Sequence, residues 1–141
     1  MQNHYTLVLI KPSAVRRRLC GEIISRYERA GLGLVGLKLE QFPPETFAKL
    51  YQEHQGKDFY PKLVEQMSSD SICALVLTGP EGVVEKVRAL NGATNPVNAA
   101  PGTIRGDYAA AMDPDNIVHA SDSPQSAERE IKIFFPDFCF K

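Results

Sequence analysis

The chain has 141 residues, of which 43% are hydrophobic and 23% charged, and its formal net charge is -1. This length and composition suit a soluble globular protein, and we expect residues 1–141 to form a single domain. They exclude a membrane-spanning segment, because no apolar run approaches about 20 residues, and they give no support to a basic surface for nucleic acid.

The predicted elements alternate between strands and helices. Runs of β-branched and apolar residues predict the strands, and apolar residues three and four apart predict the helices. In chain order these are a strand at 5–10 ended by a turn at Lys11-Pro12, a helix at 20–30 with Gly31 as its cap, an extended segment at 33–42, helices after Pro43-Pro44 and around 61–68, a central strand at 72–78, a helix after Gly79-Pro80, a strand at 116–119, and a helix from Ser123-Pro124. This order predicts an α/β (α+β) protein, a ferredoxin-like βαββαβ sandwich with an antiparallel sheet and helices on one face.

Residues 92–115 interrupt this alternation. They contain three prolines and three glycines and show no clear periodicity. A stretch this long without regular structure, inside a compact domain, is usually functional or disordered.

The cysteines and the N-terminal segment give information about the cellular compartment of the protein. Cys20, Cys73 and Cys139 are an odd number without metal-ligand spacing, so we expect no protein-bound metal. Residues 1–14 lack the basic stretch and cleavage site of a signal peptide. We therefore expect a reducing, cytoplasmic location.

Residues 31–36 (GLGLVG) match the G-x-G-x-x-G pattern of dinucleotide-binding sites. That pattern binds pyrophosphate when a strand precedes it and a helix follows, because the phosphates then meet a helix N-terminus. Here a predicted helix precedes the glycines and a predicted strand follows. We therefore interpret them as a helix end and a turn.

His119 stands in the stretch NIVHASDS at residues 116–123. By itself, a histidine in a strand more often has a structural role than a catalytic one. Glu130 favours catalysis, because it falls on the inward stripe of the last helix, where a carboxylate needs hydrogen-bond donors. His119 and Ser121 are candidate donors, and a carboxylate on one imidazole nitrogen leaves the lone pair of the other free to attack. The alternative is that Glu130 is a solvated charge on the helix flank.

Other polar residues are candidates for a binding pocket. Tyr51 and His54 share a helical stripe with apolar residues, as the edge of a core or as one wall of a polar pocket. Lys11, Arg88 and Arg105 are each compatible with a solvated charge, since long basic side chains keep their heads in water. Together these cations are able to clamp a polyphosphate only if the fold brings them to one place, which their spacing does not show.

Five stretches, in uninterrupted order between about residues 5 and 135, resemble the nucleoside diphosphate kinase family. They are TLVLIKP at 6–12, GEII at 21–24, NGATNP at 91–96, PGTIRGD at 101–107 and NIVHASDS at 116–123. The resemblance implies the ferredoxin-like core of that family and transfer of the γ-phosphate of a nucleoside triphosphate to a nucleoside diphosphate. The route would be ping-pong, through a phosphohistidine on His119, with broad base specificity and a role in maintaining nucleotide pools.

The resemblance also implies roles for the other residues. Glu130 would orient the His119 ring, and Ser121 would assist it. Mg²⁺ would arrive with the nucleotide and bridge its phosphates. The nucleotide-binding residues would be Lys11 and Asn116 at the sugar, Phe59 stacked on the base, and Tyr51, His54, Arg88, Thr94 and Arg105 at the phosphates.

The family also implies a homo-oligomer, a tetramer or hexamer built from dimers, that requires neither membrane nor nucleic acid. The short tail after Phe135 favours a tetramer.

The sequence departs from the family pattern in a few places. Ser13 stands where aspartate is common, Asp58 where proline is common, and Asp70-Ser71 where a Gly-Pro turn is common. Ala120 follows the histidine in place of glycine, which is tolerable only if the backbone there does not need a positive φ. The loop at 109–115 is also one residue longer than in many relatives.

Two alternatives to the kinase interpretation come from other classes. One is a non-catalytic nucleotide-binding module on the same fold, which would not need a positioned nucleophile beside a carboxylate. The other is a ferredoxin-like domain that binds nucleic acid, against which the near-neutral charge argues.

Overall fold

A computed structural model of the chain describes residues 4–109 and 116–140. No helix in these two ranges is long and apolar enough to cross a membrane. The strands are β1 (His4–Ile10), β2 (Gly33–Glu40), β3 (Ile72–Gly79) and β4 (Val118–Ala120). The helices are α1 (Pro12–Arg16), α2 (Cys20–Arg29), α3 (Pro44–Leu50), α4 (Tyr60–Ser68), α5 (Val83–Asn91), α6 (Ile104–Tyr108) and α7 (Pro124–Phe134), and 3-10 turns lie at Gln52–His54 and Pro96–Asn98.

The four strands form one antiparallel sheet in the order β2-β3-β1-β4. The two central strands, β1 and β3, are the most apolar, and their residues from Thr6 to Ile10 and from Ile72 to Leu77 are buried. This order is that of a βαββαβ core with α2 and α5 as its crossovers, so the predicted ferredoxin-like fold is confirmed.

Helices cover both faces of the sheet, which corrects the expectation of a single helical face. α2 and α5 pack on the face of Val8, Ile10 and Leu75. α3, α4 and α7 pack on the opposite face, over Leu7 and Leu9. The physical reason is the unbroken apolar run in each central strand, because successive side chains point to opposite faces and both faces then need cover.

Three local predictions differ from the structure. The turn predicted at Lys11-Pro12 is instead the start of α1 (Pro12–Arg16), which has proline at its first position, where the missing N–H is not needed. The segment 92–109, predicted without regular structure, contains a 3-10 turn and α6, and Thr103 caps α6 by accepting a hydrogen bond from the Gly106 N–H. Most of the loop at 109–115, with its predicted extra residue, lies outside the described residues.

The predicted strand at 116–119 begins later, as β4 at Val118. Asn116 and Ile117 have positive φ angles of 43° and 60°, which a strand does not allow. The predicted start of the last helix is confirmed, since Ser123 caps α7 by accepting a hydrogen bond from the Ser126 N–H.

Candidate functional site

His119 lies at the middle of β4, the short strand at one edge of the sheet. It pairs with Leu9 of β1, and so its side chain shares the sheet face on which α3 and α7 pack. α7 starts only four residues after β4 ends. This short connection brings the first turns of α7, and with them Glu130, back over His119.

Glu130 lies on the buried stripe of α7 and is 5% exposed. Its Oε1 lies 3.1 Å from Nε2 of His119 and accepts a hydrogen bond of 2.8 Å from the Ser121 hydroxyl. Because a carboxylate only accepts, Nε2 carries the proton and donates it, which leaves the lone pair on Nδ1. In the described part of the chain, Nδ1 makes no hydrogen bond, and the ring is therefore oriented with one nitrogen held and the other available.

Arg129 was not singled out by sequence, although it supports this arrangement. Its Nη2 lies 3.8 Å from Oε2 of Glu130, and its guanidinium donates to the carbonyls of Lys49 and Leu50 at the end of α3. Arg129 therefore links α7 to the segment that leads into Tyr51. No sequence pattern distinguishes it from an ordinary surface arginine on a helix flank.

A cleft of about 230 Å³ opens in front of His119. It is formed by the ends of β1 and β4, the segment after α3, and the segment after α5. Among the predicted site residues, its walls hold Lys11, Tyr51, His54, Arg88, Thr94, Arg105, Asn116, His119 and Glu130, and the unpredicted acids Glu53 and Asp122 also line it. A second hollow of about 430 Å³ shares Arg88, Thr94, Arg105 and Ala120 with this cleft and continues it toward the end of α5.

Two predicted site residues do not line this cleft. Ser121 is fully buried behind Glu130. Phe59 is 51% exposed and lies beside the cleft, with its ring centroid 5.3 Å from that of His54. Lys57 lies over the Phe59 ring, 5.8 Å from its centroid. An aromatic ring half-exposed at a cleft mouth is available for stacking.

Tyr51 forms the wall of the cleft nearest the imidazole. Its ring meets that of His119 edge-on, with centroids 5.9 Å apart. Burial raises the pKa of Tyr51 well above the ordinary tyrosine range, and the charge of Glu130 raises it further. The phenol therefore stays protonated, and among the described residues its buried hydroxyl has no hydrogen-bond partner. It is a donor able to serve a ligand in the cleft.

Arg105 anchors the strained segment that precedes His119. Its guanidinium donates to the carbonyls of Gly92 at 2.7 Å, Asn116 at 3.2 Å and Val118 at 2.8 Å. The positive φ of a β-branched residue such as Ile117 is unfavourable and persists only where surrounding contacts enforce it. An arginine has five N–H groups, so three of these bonds leave two N–H groups for the cleft that Arg105 lines.

Lys11, Asn116 and Thr94 form a hydrogen-bonded row along the cleft. The Lys11 ammonium donates to Oδ1 of Asn116 at 3.0 Å, and Nδ2 of Asn116 donates to the Thr94 carbonyl at 2.8 Å. Lys11 is held by its position directly after β1, where its backbone N–H donates to the Ile117 carbonyl. The sequence predicted a contact of Asn116 with the nucleotide sugar. The structure adds two protein partners that the sequence did not reveal, the Lys11 ammonium and the Thr94 carbonyl.

The cleft holds three cationic side chains, Lys11, Arg88 and Arg105, together with the carboxylates of Glu53, Asp122 and Glu130. Burial lowers the pKa of Arg105, and the neighbouring charge of Arg88 lowers it further, although a guanidinium remains protonated at neutral pH. Together with Lys11, these arginines favour an anionic ligand with several charged oxygens. In residues 4–109 and 116–140, no three His, Cys, Asp or Glu side chains lie together as metal ligands.

The structure also accounts for departures from the family pattern. Ala120 is not among the described residues with a positive φ, so its methyl group imposes no left-handed strain. Asp70 makes its own turn, because its carboxylate accepts from the Ser71 N–H and lies 3.4 Å from Arg16. Asp58 is exposed. The Ser13 hydroxyl is buried in α1 with no hydrogen-bond partner among the described residues.

Fold and site together define a ferredoxin-like α+β protein in which a histidine, oriented by a carboxylate, lines a cleft that also holds Lys11, Arg88 and Arg105. Comparison with known proteins identifies this class. The profile of the Nucleoside diphosphate kinase family matches residues 4–140. The chain is 57% identical to the nucleoside diphosphate kinase of Streptomyces avermitilis over 132 residues, which are 93% of this chain and 95% of that protein. It is 48% identical to that of Methanocaldococcus jannaschii, over 94% of this chain and 93% of that protein.

Solved structures agree with this result. The crystal structure of a nucleoside diphosphate kinase family protein from Babesia bovis matches with a TM-score of 0.89 and 39% identity, over 94% of this chain and 88% of that one. The crystal structure of the Aquifex aeolicus nucleoside diphosphate kinase matches with a TM-score of 0.89 and 36% identity, over 94% of this chain and 95% of that one. The chain belongs to the nucleoside diphosphate kinase family.

Proposed function

We propose that this protein is a nucleoside diphosphate kinase that transfers the γ-phosphate of a nucleoside triphosphate to a nucleoside diphosphate, with His119 as the carrier. The single observation that carries the proposal is the fixed imidazole of His119, with Nε2 held by Glu130 in a cleft that two arginines and Lys11 also line. The match of residues 4–140 to one family supports a single domain, 1–141, for this activity.

The first half-reaction forms an N–P bond and breaks a P–O bond. The lone pair on Nδ1 attacks the γ-phosphorus, and the electron pair of the broken bond leaves on the β-phosphate of the departing diphosphate. The imidazole gains positive charge as the bond forms, and the Glu130 carboxylate on Nε2–H stabilises that charge. Ser121 helps to hold Glu130 in place. In the second half-reaction, a new nucleoside diphosphate attacks the phosphohistidine and His119 is regenerated.

The cations and donors of the cleft hold the phosphates for this transfer. Phosphoryl transfer depends on in-line positioning and on neutralising the charge of the phosphate oxygens. Arg88, Arg105 and Thr94 would hold the chain of phosphates, and Tyr51 and His54 would contact it beside His119. Mg²⁺, when it enters with the nucleotide, neutralises part of the phosphate charge.

The proposed contacts hold the sugar and the base of the nucleotide without distinguishing which base it carries. Lys11 and Asn116, already hydrogen-bonded to each other, would contact the sugar hydroxyls and the adjacent phosphate. Phe59 would stack on the base, and stacking accepts every base because each has a π-face. We therefore propose broad base specificity and a role in maintaining cytoplasmic nucleotide pools.

The test is phosphorylation by γ-labelled ATP in the absence of an acceptor. We expect a label on the protein that is stable to base, labile to acid and released by any added nucleoside diphosphate. His119→Gln should abolish the label, whereas His4→Gln, at the start of β1 and away from the cleft, should keep it. Folded protein that binds ATP but never becomes labelled would contradict the proposal and favour a non-catalytic nucleotide-binding module.

We also propose that the chain forms a homo-oligomer, a tetramer or hexamer built from dimers. The support is β2, an edge strand of the sheet. Three large apolar side chains of β2 face solvent, since Val35 is 48%, Leu37 49% and Leu39 57% exposed. A row of apolar side chains along an edge strand is usually covered by another surface, because it otherwise promotes uncontrolled association.

A further inference from the structure

The two oxygens of the Glu130 carboxylate have different surroundings. Oε1 lies 3.1 Å from Nε2 of His119 and accepts the hydrogen bond of 2.8 Å from Ser121. Oε2 lies 3.8 Å from Nη2 of Arg129, the residue that precedes Glu130 in α7. That separation is an ion pair without a direct hydrogen bond. The guanidinium therefore acts on the carboxylate oxygen that His119 does not use.

The Arg129 guanidinium is itself held by the end of α3. Nη1 donates to the Lys49 carbonyl at 3.2 Å, and Nη2 donates to the Leu50 carbonyl at 3.4 Å. The last carbonyls of a helix have no partner within the helix, so donors from elsewhere in the chain satisfy them. α3 ends at Leu50, and Tyr51, which meets the His119 ring edge-on, follows directly. Arg129 thus connects the carboxylate behind His119 with the segment that forms the wall beside it.

The two partners of the Arg129–Glu130 ion pair differ in burial. The Glu130 side chain is 7% exposed, whereas that of Arg129 is 37% exposed. A fully exposed ion pair contributes little, because water screens both charges. A buried carboxylate that loses its cation is more costly, because water cannot replace the lost charge there. Removal of Arg129 should therefore leave Glu130 less well held, even though Arg129 reaches the surface.

We propose that Arg129 is a positioning residue for phosphoryl transfer: it holds Oε2 of Glu130, so that Oε1 stays on Nε2 of His119 as the ring takes up charge. This inference rests on the proposed function of His119 as the phosphate carrier. Arg129 is not among the described residues that line the cleft, so it acts through Glu130 and does not touch the nucleotide. Its loss should lower the maximal rate of His119 phosphorylation and leave ATP binding nearly unchanged.

The rate of His119 phosphorylation should be measured in single turnovers with γ-labelled ATP over a range of ATP concentrations. In Arg129→Met, which keeps a long side chain without the charge, we expect the maximal rate to fall roughly fivefold. The half-saturating ATP concentration should change by less than about twofold. Arg129→Lys should recover part of the rate, because an ammonium keeps the charge but lacks the planar fork that meets both carbonyls. Lys132→Met removes a basic residue from the same helix, away from the cleft, and should be labelled as fast as the wild type.

A double substitution separates this role from a general effect on stability. In the Glu130→Gln background, Arg129→Met should cause no further slowing, because a neutral amide offers no charge to the guanidinium. A merely structural contribution of Arg129 would slow labelling by the same factor in both backgrounds. That result would overturn the proposal.

The tautomer of the His119 ring is a second readout, which does not depend on turnover. Nitrogen NMR should show the proton on Nε2 in the wild type and a mixture of both tautomers in Arg129→Met. Thermal unfolding confirms that each variant is folded at the assay temperature. If the wild type is never labelled, the proposed function fails, and the ring tautomer still tests the role of Arg129. Folded Arg129→Met that is labelled at the wild-type rate, or that keeps the wild-type tautomer, would contradict the inference.

Discussion

At the scale of single residues, Glu130 is the group on which the proposed chemistry of His119 depends. A carboxylate that is 5% exposed is costly unless its charge is compensated. Here the His119 N–H and the Ser121 hydroxyl share one oxygen, and Arg129 lies near the other. The structure therefore keeps a buried negative charge beside the ring that, in the proposed transfer, would become positive.

Replacing Glu130 with glutamine should slow phosphorylation of His119. The amide oxygen still accepts a hydrogen bond, but without a full negative charge the bond weakens by about 1–2 kcal/mol, or roughly tenfold in rate. Single-turnover labelling with ATP measures this step, and nucleotide affinity should change little. Glu128→Gln, on the exposed side of the same helix, is the matched control. Unchanged labelling in Glu130→Gln would refute the orienting role.

Phe59 is a second residue whose exposure suggests a direct use. Phe59→Ala should raise KM for every nucleoside diphosphate by a similar factor, roughly tenfold, because a stacked base contributes about 1–3 kcal/mol. The value of kcat should be nearly unchanged, since stacking acts equally on the ground state and the transition state. Phe140→Ala removes another exposed ring away from the cleft and is the control. A rise in KM confined to nucleotides with one base would argue for specific recognition of that base instead.

At the scale of elements, the junction between α5 and α6 holds the cleft in shape. Gly92 ends α5 with a φ of 88°, its carbonyl accepts from Arg105, and a Cβ there would overlap the Thr103 hydroxyl that caps α6. One glycine therefore links the cap of α6 to the arginine that fixes the segment before His119.

Gly92→Ala should destabilise the protein and reduce nucleotide affinity. The left-handed backbone alone costs about 1 kcal/mol with a side chain, and displacement of Thr103 adds to it. Gly31→Ala is the matched control, because Gly31 has a φ of 90° and nothing lies within 4 Å of its added Cβ. Thermal unfolding of both variants separates the clash from the strain. An equal decrease in unfolding temperature for Gly92→Ala and Gly31→Ala would show that the contact with Thr103 is unimportant.

α6 has a pH-dependent anchor at Asp107. The Gly102 N–H and the Arg26 guanidinium both donate to this carboxylate and hold its pKa below the ordinary range. Its folded-state pKa is thus lower than its unfolded one, so its stabilising contribution is present at neutral pH and is lost as the pH falls through the acid range below about 4. We expect Asp107→Asn to lower the unfolding temperature at pH 7 and to converge with the wild type once the pH falls below the lowered folded-state pKa of Asp107. A constant difference across this range would contradict the linkage.

At the scale of the whole molecule, the sheet separates two environments. One face carries the cleft and the proposed chemistry, and the other packs against α2 and α5. The exposed Leu37 and Leu39 of β2 pair with Leu75 and Cys73 of β3, so they share that second face. We therefore expect assembly through this part of β2 to leave the cleft accessible to nucleotide.

Leu37→Glu should reduce the mass of the assembly in solution, as measured by light scattering. A charge in the middle of the apolar row opposes its burial against another chain. Gln125→Glu, exposed at the start of α7, adds the same charge elsewhere and should leave the mass unchanged. A monomeric wild type, or an unaltered mass for Leu37→Glu, would contradict an interface at β2.

The sequence by itself determined the order of most elements and the identity of the family. Long apolar periodicities predicted α2, β3 and α7, because these elements are stabilised by the same burial that creates the pattern. The inward position of Glu130 on α7 also followed from periodicity, which made His119 and Ser121 candidate partners, but only the structure shows the contact between Glu130 and His119. The stretch NIVHASDS and the four other stretches named above carried the resemblance to nucleoside diphosphate kinases.

Only the tertiary structure decided what depends on contacts distant in sequence. Helices on both faces of the sheet, the positive φ of Ile117, and the anchoring of Arg105 to three carbonyls have no local signature. The sequence around a single basic residue such as Lys11 or Arg88 is the same whether its side chain ends in solvent or in a cleft. Their meeting around His119 is set by chain crossings, which side-chain periodicity within one element cannot encode.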